Sequence, residues 1–220
     1  MPGYHWDFGA VTLHPDLWLA ALVVTIGYSV VTILAGLLLG VVCGMLLLSR
    51  HRILFSPIGG YVQVFRCTPL LIQIIWFYYA LPVAVHVEIP AWLAAGLGLT
   101  LYMGAFSAEI FRGGIMSVDV GQWQAARAIG MLPWQVMRRV VLPQATRRML
   151  PPFVNQSILQ LKNTSLLSIV AVPDLMYTAQ LLVSETFRPL EIYTSLAAIY
   201  FVILYPLQKL SKRLERRDDL

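Results

Sequence analysis

Long apolar runs separated by short polar segments dominate this chain. Leu17 to Leu48 is uncharged throughout and rich in Leu, Val and Gly, with Asp16 after Pro15 placed to cap a helix. Further runs extend from Ile53 to Leu81, with one charge at Arg66, from Pro90 to Ala108, and from Ile192 to Leu207. A helix of about 20 mostly apolar residues crosses a hydrocarbon core of about 30 Å, and each run is read as a span; in the second, the charge at Arg66 allows an interfacial stretch ahead of a span from Thr68 to Leu81. Pro152 to Val172 differs, because Asn155, Gln156, Gln160, Lys162 and Asn163 sit within a frame of Phe, Val, Ile and Leu. Such a helix is costly against lipid, so its polar side must face protein or water. The pattern predicts an all-α integral membrane protein with five transmembrane helices, at about 17–46, 58–81, 90–110, 152–172 and 191–208. Residues 1–220 are read as a single domain.

Composition agrees with lipid as the solvent. The chain is 58% hydrophobic and 12% charged, with a mean hydropathy of +0.71. Soluble domains are usually about 45–50% apolar and about 25% charged. A net charge of +5 would raise the question of nucleic acid in a soluble protein, but here its distribution sets orientation instead. With the N-terminus outside, the inner segments Ser49–Arg66, Arg112–Leu150 and Lys209–Leu220 hold 14 of the 16 Lys and Arg residues. That bias predicts an N-out, C-in topology. Cys43 and Cys67 lack metal-site spacing, and His5, His14, His51 and His86 form no pair at metal spacing. Neither catalytic nor metal residues are assigned. Met1 to Phe8 does not read as a removable signal peptide.

The longest inner segment, 112–150, has structure of its own. Gly121 to Met131 holds good helix formers and ends near Gly130, and Pro133 suits the first turn of a second helix running to Val141. Trp134, Met137 and Val141 form an apolar stripe there, Pro143 ends the pattern, and Pro151–Pro152 mark the next boundary. Physics alone allows an amphipathic hairpin lying on lipid headgroups. The adjacent Ala125 and Ala126 equally allow close approach to another protein's backbone.

Gln124-Ala125-Ala126, then Gly130, then Val140 and Leu142-Pro143 resemble the Glu-Ala-Ala…Gly…Ile-x-Leu-Pro loop of ATP-binding-cassette importer membrane subunits. Arg66-Cys67-Thr68-Pro69-Leu70-Leu71, Glu109-Ile110-Phe111-Arg112-Gly113-Gly114-Ile115, Gly121-Gln122, Leu142-Pro143-Gln144-Ala145, Leu150-Pro151-Pro152 with Asn155, and Lys162-Asn163-Thr164-Ser165-Leu166 follow in register. Together they resemble the polar amino-acid permease group, the histidine and glutamine type. Three positions depart from it: Gln124 for Glu, Cys67 for Gly, and Asp174-Leu175 for Glu-Leu.

The resemblance implies a type I importer-like transmembrane domain in a bacterial inner membrane, passing polar amino acids. It implies three kinds of partner: a cytoplasmic ATPase dimer, a second permease subunit, same or homologous, and a periplasmic or lipid-anchored solute-binding protein. The chain has no glycine-rich phosphate loop, its lysines being Lys162, Lys209 and Lys212, so ATP and Mg belong to the ATPase and the chain carries no cofactor. Gly121, Gln124, Ala125, Ala126, Gly130, Leu142 and Pro143 are the implied coupling residues.

Asn155, Gln156, Lys162, Asn163, Thr164 and Ser165 are candidates for the solute pathway, or else for a span-to-span network that fixes packing. Glu109 with Arg112 reads as an interfacial pair and Arg66 as a snorkelling residue. A secondary transporter or a membrane enzyme without an ATPase partner are the competing classes. Survival of uptake after ATP depletion separates the former from an ATP-driven importer.

Overall fold

The computed structural model describes residues 4–12, 14–49 and 52–218. Among them every regular element is helical. After one turn at Gly9–Thr12 come α1 (Pro15–Leu47) and α2 (Arg52–Cys67), then α3 (Leu70–Val85) and α4 (Ala91–Met116). They are followed by α5 (Val120–Ala128), α6 (Pro133–Val170), α7 (Leu175–Thr186) and α8 (Pro189–Asp218). Among the described residues three single helices are long and apolar enough to cross a membrane; counting each of two bent pairs, α2 with α3 and α6 with α7, as one span gives up to five.

Several expected boundaries move. The stretch 58–81 is two helices, because Pro69 removes a backbone donor and disfavours helix at Thr68. The third helix runs past 110 to Met116, and the last extends from Pro189 to Asp218. Neither Pro143 nor Pro151–Pro152 ends a helix: α6 passes through all three and closes with a 3-10 stretch, Thr164–Val170. The segment 173–191 contains α7, whose Leu175, Thr178, Ala179 and Leu182 are buried.

Pro82 of α3 and Pro143 of α6 share a local device. Trp76–Ala80 and Met137–Val141 are π turns, with Leu81 N–H donating to Trp76 O and Leu142 N–H to Met137 O. Each widened turn ends one residue before a Leu-Pro pair, where a proline ring would otherwise meet the carbonyl four residues back. The inserted residue also rotates the face of α6. Val136 and Val141 are therefore buried, while Trp134, expected in the apolar stripe, is 55% exposed.

The helices form two compact units. The first holds residues 1–32, 70–99 and 159–207, and its core joins Trp18 and Ala21 to Leu175, Ala179, Leu182, Ile192 and Leu196. In it Glu191 is buried and accepts from Tyr4 Oη at 2.6 Å and Asp7 N at 3.0 Å. The second unit holds residues 33–69, 100–158 and 208–220. There Gly36, Gly40 and Gly44 of α1 face Met103, Ser107 and Phe111 of α4. A Cβ at Gly36 would lie 2.5 Å from Met103 Cβ, and one at Gly44 2.8 Å from Phe111 Cδ1. Only hydrogen at these three positions permits such close helix contact.

Candidate functional site

The segment between α4 and α6 is short and tightly specified. Asp119 caps α5, its carboxylate accepting from Gly121 N at 2.6 Å. A Cβ on Gly121 would stand 2.8 Å from that oxygen, so glycine keeps the cap open. Gly130, at φ +79°, turns the chain out of α5 in the left-handed region that glycine adopts without strain. Leu132 N then donates to Gln135 Oε1 at 3.0 Å, closing the first turn of α6.

Beneath α5 lies a core of its own. Ala126 packs with Ile115, Val118, Val136, Val141, Ala145 and Met149, and Trp123 lies against the same cluster. Ala126, expected among the coupling residues, is 5% exposed and packs into this unit's interior. Gly121, Gln124, Ala125 and Gly130 are exposed, as are Leu142 and Pro143 on α6. Ile129 and Leu132 beside them are 79% and 56% exposed, so the outer surface of the segment is apolar as well as polar. Arg127, Arg138, Arg139, Arg147 and Arg148 surround it, all exposed.

The pathway candidates divide between the units. In the second, Asn155 Oδ1 accepts from Ser211 Oγ at 2.7 Å, and Gln156 is 8% exposed with Nε2 unpaired. In the first, Lys162 is exposed. Thr164 is buried and donates to Leu161 O at 2.7 Å; Ser165 donates to Lys162 O at 2.9 Å. Each hydroxyl thus donates to a carbonyl of its own helix. Asn163 Nδ2 is buried without a partner.

The inter-helix link falls to Gln160, a polar residue of the 152–172 stretch outside the candidate set. Its amide donates to Thr32 Oγ1 at 3.2 Å and to Leu99 O at 2.9 Å, tying α6 to α1 and α4 within the first unit. Its Oε1 is unpaired, as is Oδ2 of Asp174, a fully buried residue whose other oxygen caps α7 through Tyr177 N at 2.9 Å. The available signal was spacing. Gln156, Gln160 and Thr164 recur every four residues, the period of one helix face, and all three are buried.

A charged cluster occupies the second unit. Glu109 Oε2 accepts from Arg112 Nε at 3.3 Å and its Oε1 from Arg112 Nη2, as the expected pair. Arg66 joins them at 3.7 Å from Glu109 Oε2, with its guanidinium 5.7 Å from the centroid of the Phe106 ring.

The family model described as binding-protein-dependent transport system inner membrane component matches residues 36–217. The glutamine transport system permease protein GlnP of Escherichia coli (strain K12) is 34% identical over 213 residues, covering 96% of this chain and 97% of that protein. The octopine transport system permease protein OccM of Rhizobium meliloti is 38% identical over 194 residues, 84% of this chain and 79% of OccM. A solved structure of an amino acid ABC transporter with histidines superposes with a TM-score of 0.91 at 33% identity, covering 97% of this chain and all of that one. The inward-facing MetNI methionine ABC transporter shares the fold at 20% identity, with a TM-score of 0.76 over 93% of this chain and 97% of that one.

Proposed function

Because this chain belongs to the family of binding-protein-dependent transport system inner membrane components, we propose that it forms half of the pathway of an ATP-driven importer of polar amino acids. It is the permease subunit and carries no ATPase of its own. The observation that best supports coupling is α5, a short capped helix seated on a private apolar core with Gln124, Ala125, Ile129 and Leu132 exposed. In this reading that exposed surface docks on a cytoplasmic ATPase dimer, which binds the ATP and Mg. The ATPase moves the docked segment as a rigid piece, and α6, continuous from Pro133, carries the motion into the helices.

The same proposal places residues 1–220 in a bacterial inner membrane as one five-span domain, N-out and C-in. Its partners there are a second copy or homologue and a periplasmic or lipid-anchored binding protein. Solute passes Asn155, Gln156, Lys162, Asn163, Thr164 and Ser165, and Gln160 positions that wall. Unpaired buried atoms on Gln156 and Asn163 support this reading, because solute or water completes hydrogen bonds that protein leaves open.

Proteoliposomes containing the chain with its co-purified ATPase test the class of transporter. Uptake of a polar amino acid is expected to require internal ATP and the external binding protein. Uptake driven by an ion gradient without ATP would point to a secondary transporter instead.

A further inference from the structure

None of the coupling or pathway candidates named above lines the cleft beside α2 in the second unit. Its volume is about 780 Å3, and Arg66 stands in its wall. Arg112 already occupies both oxygens of Glu109, so Arg66 keeps only an ion pair at 3.7 Å, beyond hydrogen-bond range. Phe106 holds the Arg66 guanidinium by its face, which leaves the N–H edge for a ligand. Two guanidinium groups against one carboxylate keep the cluster net positive. Gln63 and Ser56 add an amide and a hydroxyl to the lining, while Leu47 and Phe55 make another part of it apolar. A fork of donors beside an apolar wall fits an amphiphile with an anionic head better than a small hydrophilic ion.

We propose that this cleft binds a phosphate group, that of an anionic phospholipid, with Arg66 as its principal ligand. Leu47 and Phe55 receive the apolar part of the lipid. The recognised chemistry is a phosphate anion, which a headgroup or soluble phosphate can supply.

The test uses the full-length chain in phosphatidylcholine nanodiscs with and without phosphatidylglycerol, with retained lipid measured by native mass spectrometry. The wild type is expected to retain phosphatidylglycerol preferentially, and Arg66→Ala to lower that preference roughly fivefold. Arg66→Lys, which keeps the charge and loses the planar fork, is expected to fall between them and separates binding from a folding defect. Inorganic phosphate that leaves the retained phosphatidylglycerol in place assigns the site to lipid. Arg66-dependent binding of phosphate that displaces the lipid assigns it to the soluble anion. Equal retention by the wild type and both variants, with no Arg66-dependent phosphate binding, overturns the proposal.

Discussion

The α5 segment and the polar stretch from Gln156 to Asp174 handle their hydrogen-bonding groups in opposite ways. Around α5, Asp119 and Gln135 each accept from a backbone N–H, Gly130 makes the turn, and Ala126 seals an apolar core. Along the polar stretch, Gln156 Nε2, Gln160 Oε1, Asn163 Nδ2 and Asp174 Oδ2 are buried and unpaired. Each such atom costs about 1–3 kcal/mol unless water or solute completes it. The first region thus spends its chemistry on its own rigidity. The second keeps hydrogen-bonding capacity in reserve, which is what the proposed solute path would use.

The largest effect is expected where a charge is forced into the α5 core. Ala126→Asp should destabilise the segment by at least about 3 kcal/mol, seen as protease sensitivity between α4 and α6. Ala125→Asp, one residue away and exposed, should change stability by no more than about 0.5 kcal/mol. Equal damage from both would break the contrast. Next comes Gln160→Leu, which strips Thr32 Oγ1 and Leu99 O of a donor. A loss of about 1–2 kcal/mol is expected in thermal unfolding of the purified chain. Asp119→Ala should cost about 1 kcal/mol through its cap, read as faster hydrogen exchange at the start of α5. The smallest effect on stability belongs to Gln156→Met, within about 0.5 kcal/mol or slightly stabilising, because it removes an unpaired buried amide. Uptake should nonetheless fall in that variant, which would sharpen the assignment of Gln156 to the path.

Local signals carried the parts of the fold that depend on few residues. Gly130 and Pro133 mark the turn between α5 and α6 because φ and the missing donor are properties of those residues themselves. The π turns are not legible, since the Leu-Pro pair that follows each recurs at Leu150-Pro151, where the helix is regular. Without them the apolar stripe of α6 runs through Trp134, which the structure leaves exposed. Propensity alone makes Pro143, Pro151 and Pro152 boundaries, whereas burial of Ala145, Met149 and Ile158 between and beyond them holds one continuous helix.

The inward turn of Ala126 depends on which face of α5 packs, and two adjacent alanines do not say which. Gln160 was visible as a polar residue, but its partners lie 128 and 61 positions away. The close approach at Gly36, Gly40 and Gly44 was masked by a run rich in glycine generally.

Transport by Ala125→Asp in the reconstituted complex tests the coupling role of α5 most directly. The variant should insert and unfold thermally like the wild type and keep basal ATP hydrolysis. Its ATP-driven uptake, and the acceleration of hydrolysis by the binding protein, should be lost. Normal uptake by a correctly inserted Ala125→Asp protein would contradict docking through the exposed face of α5.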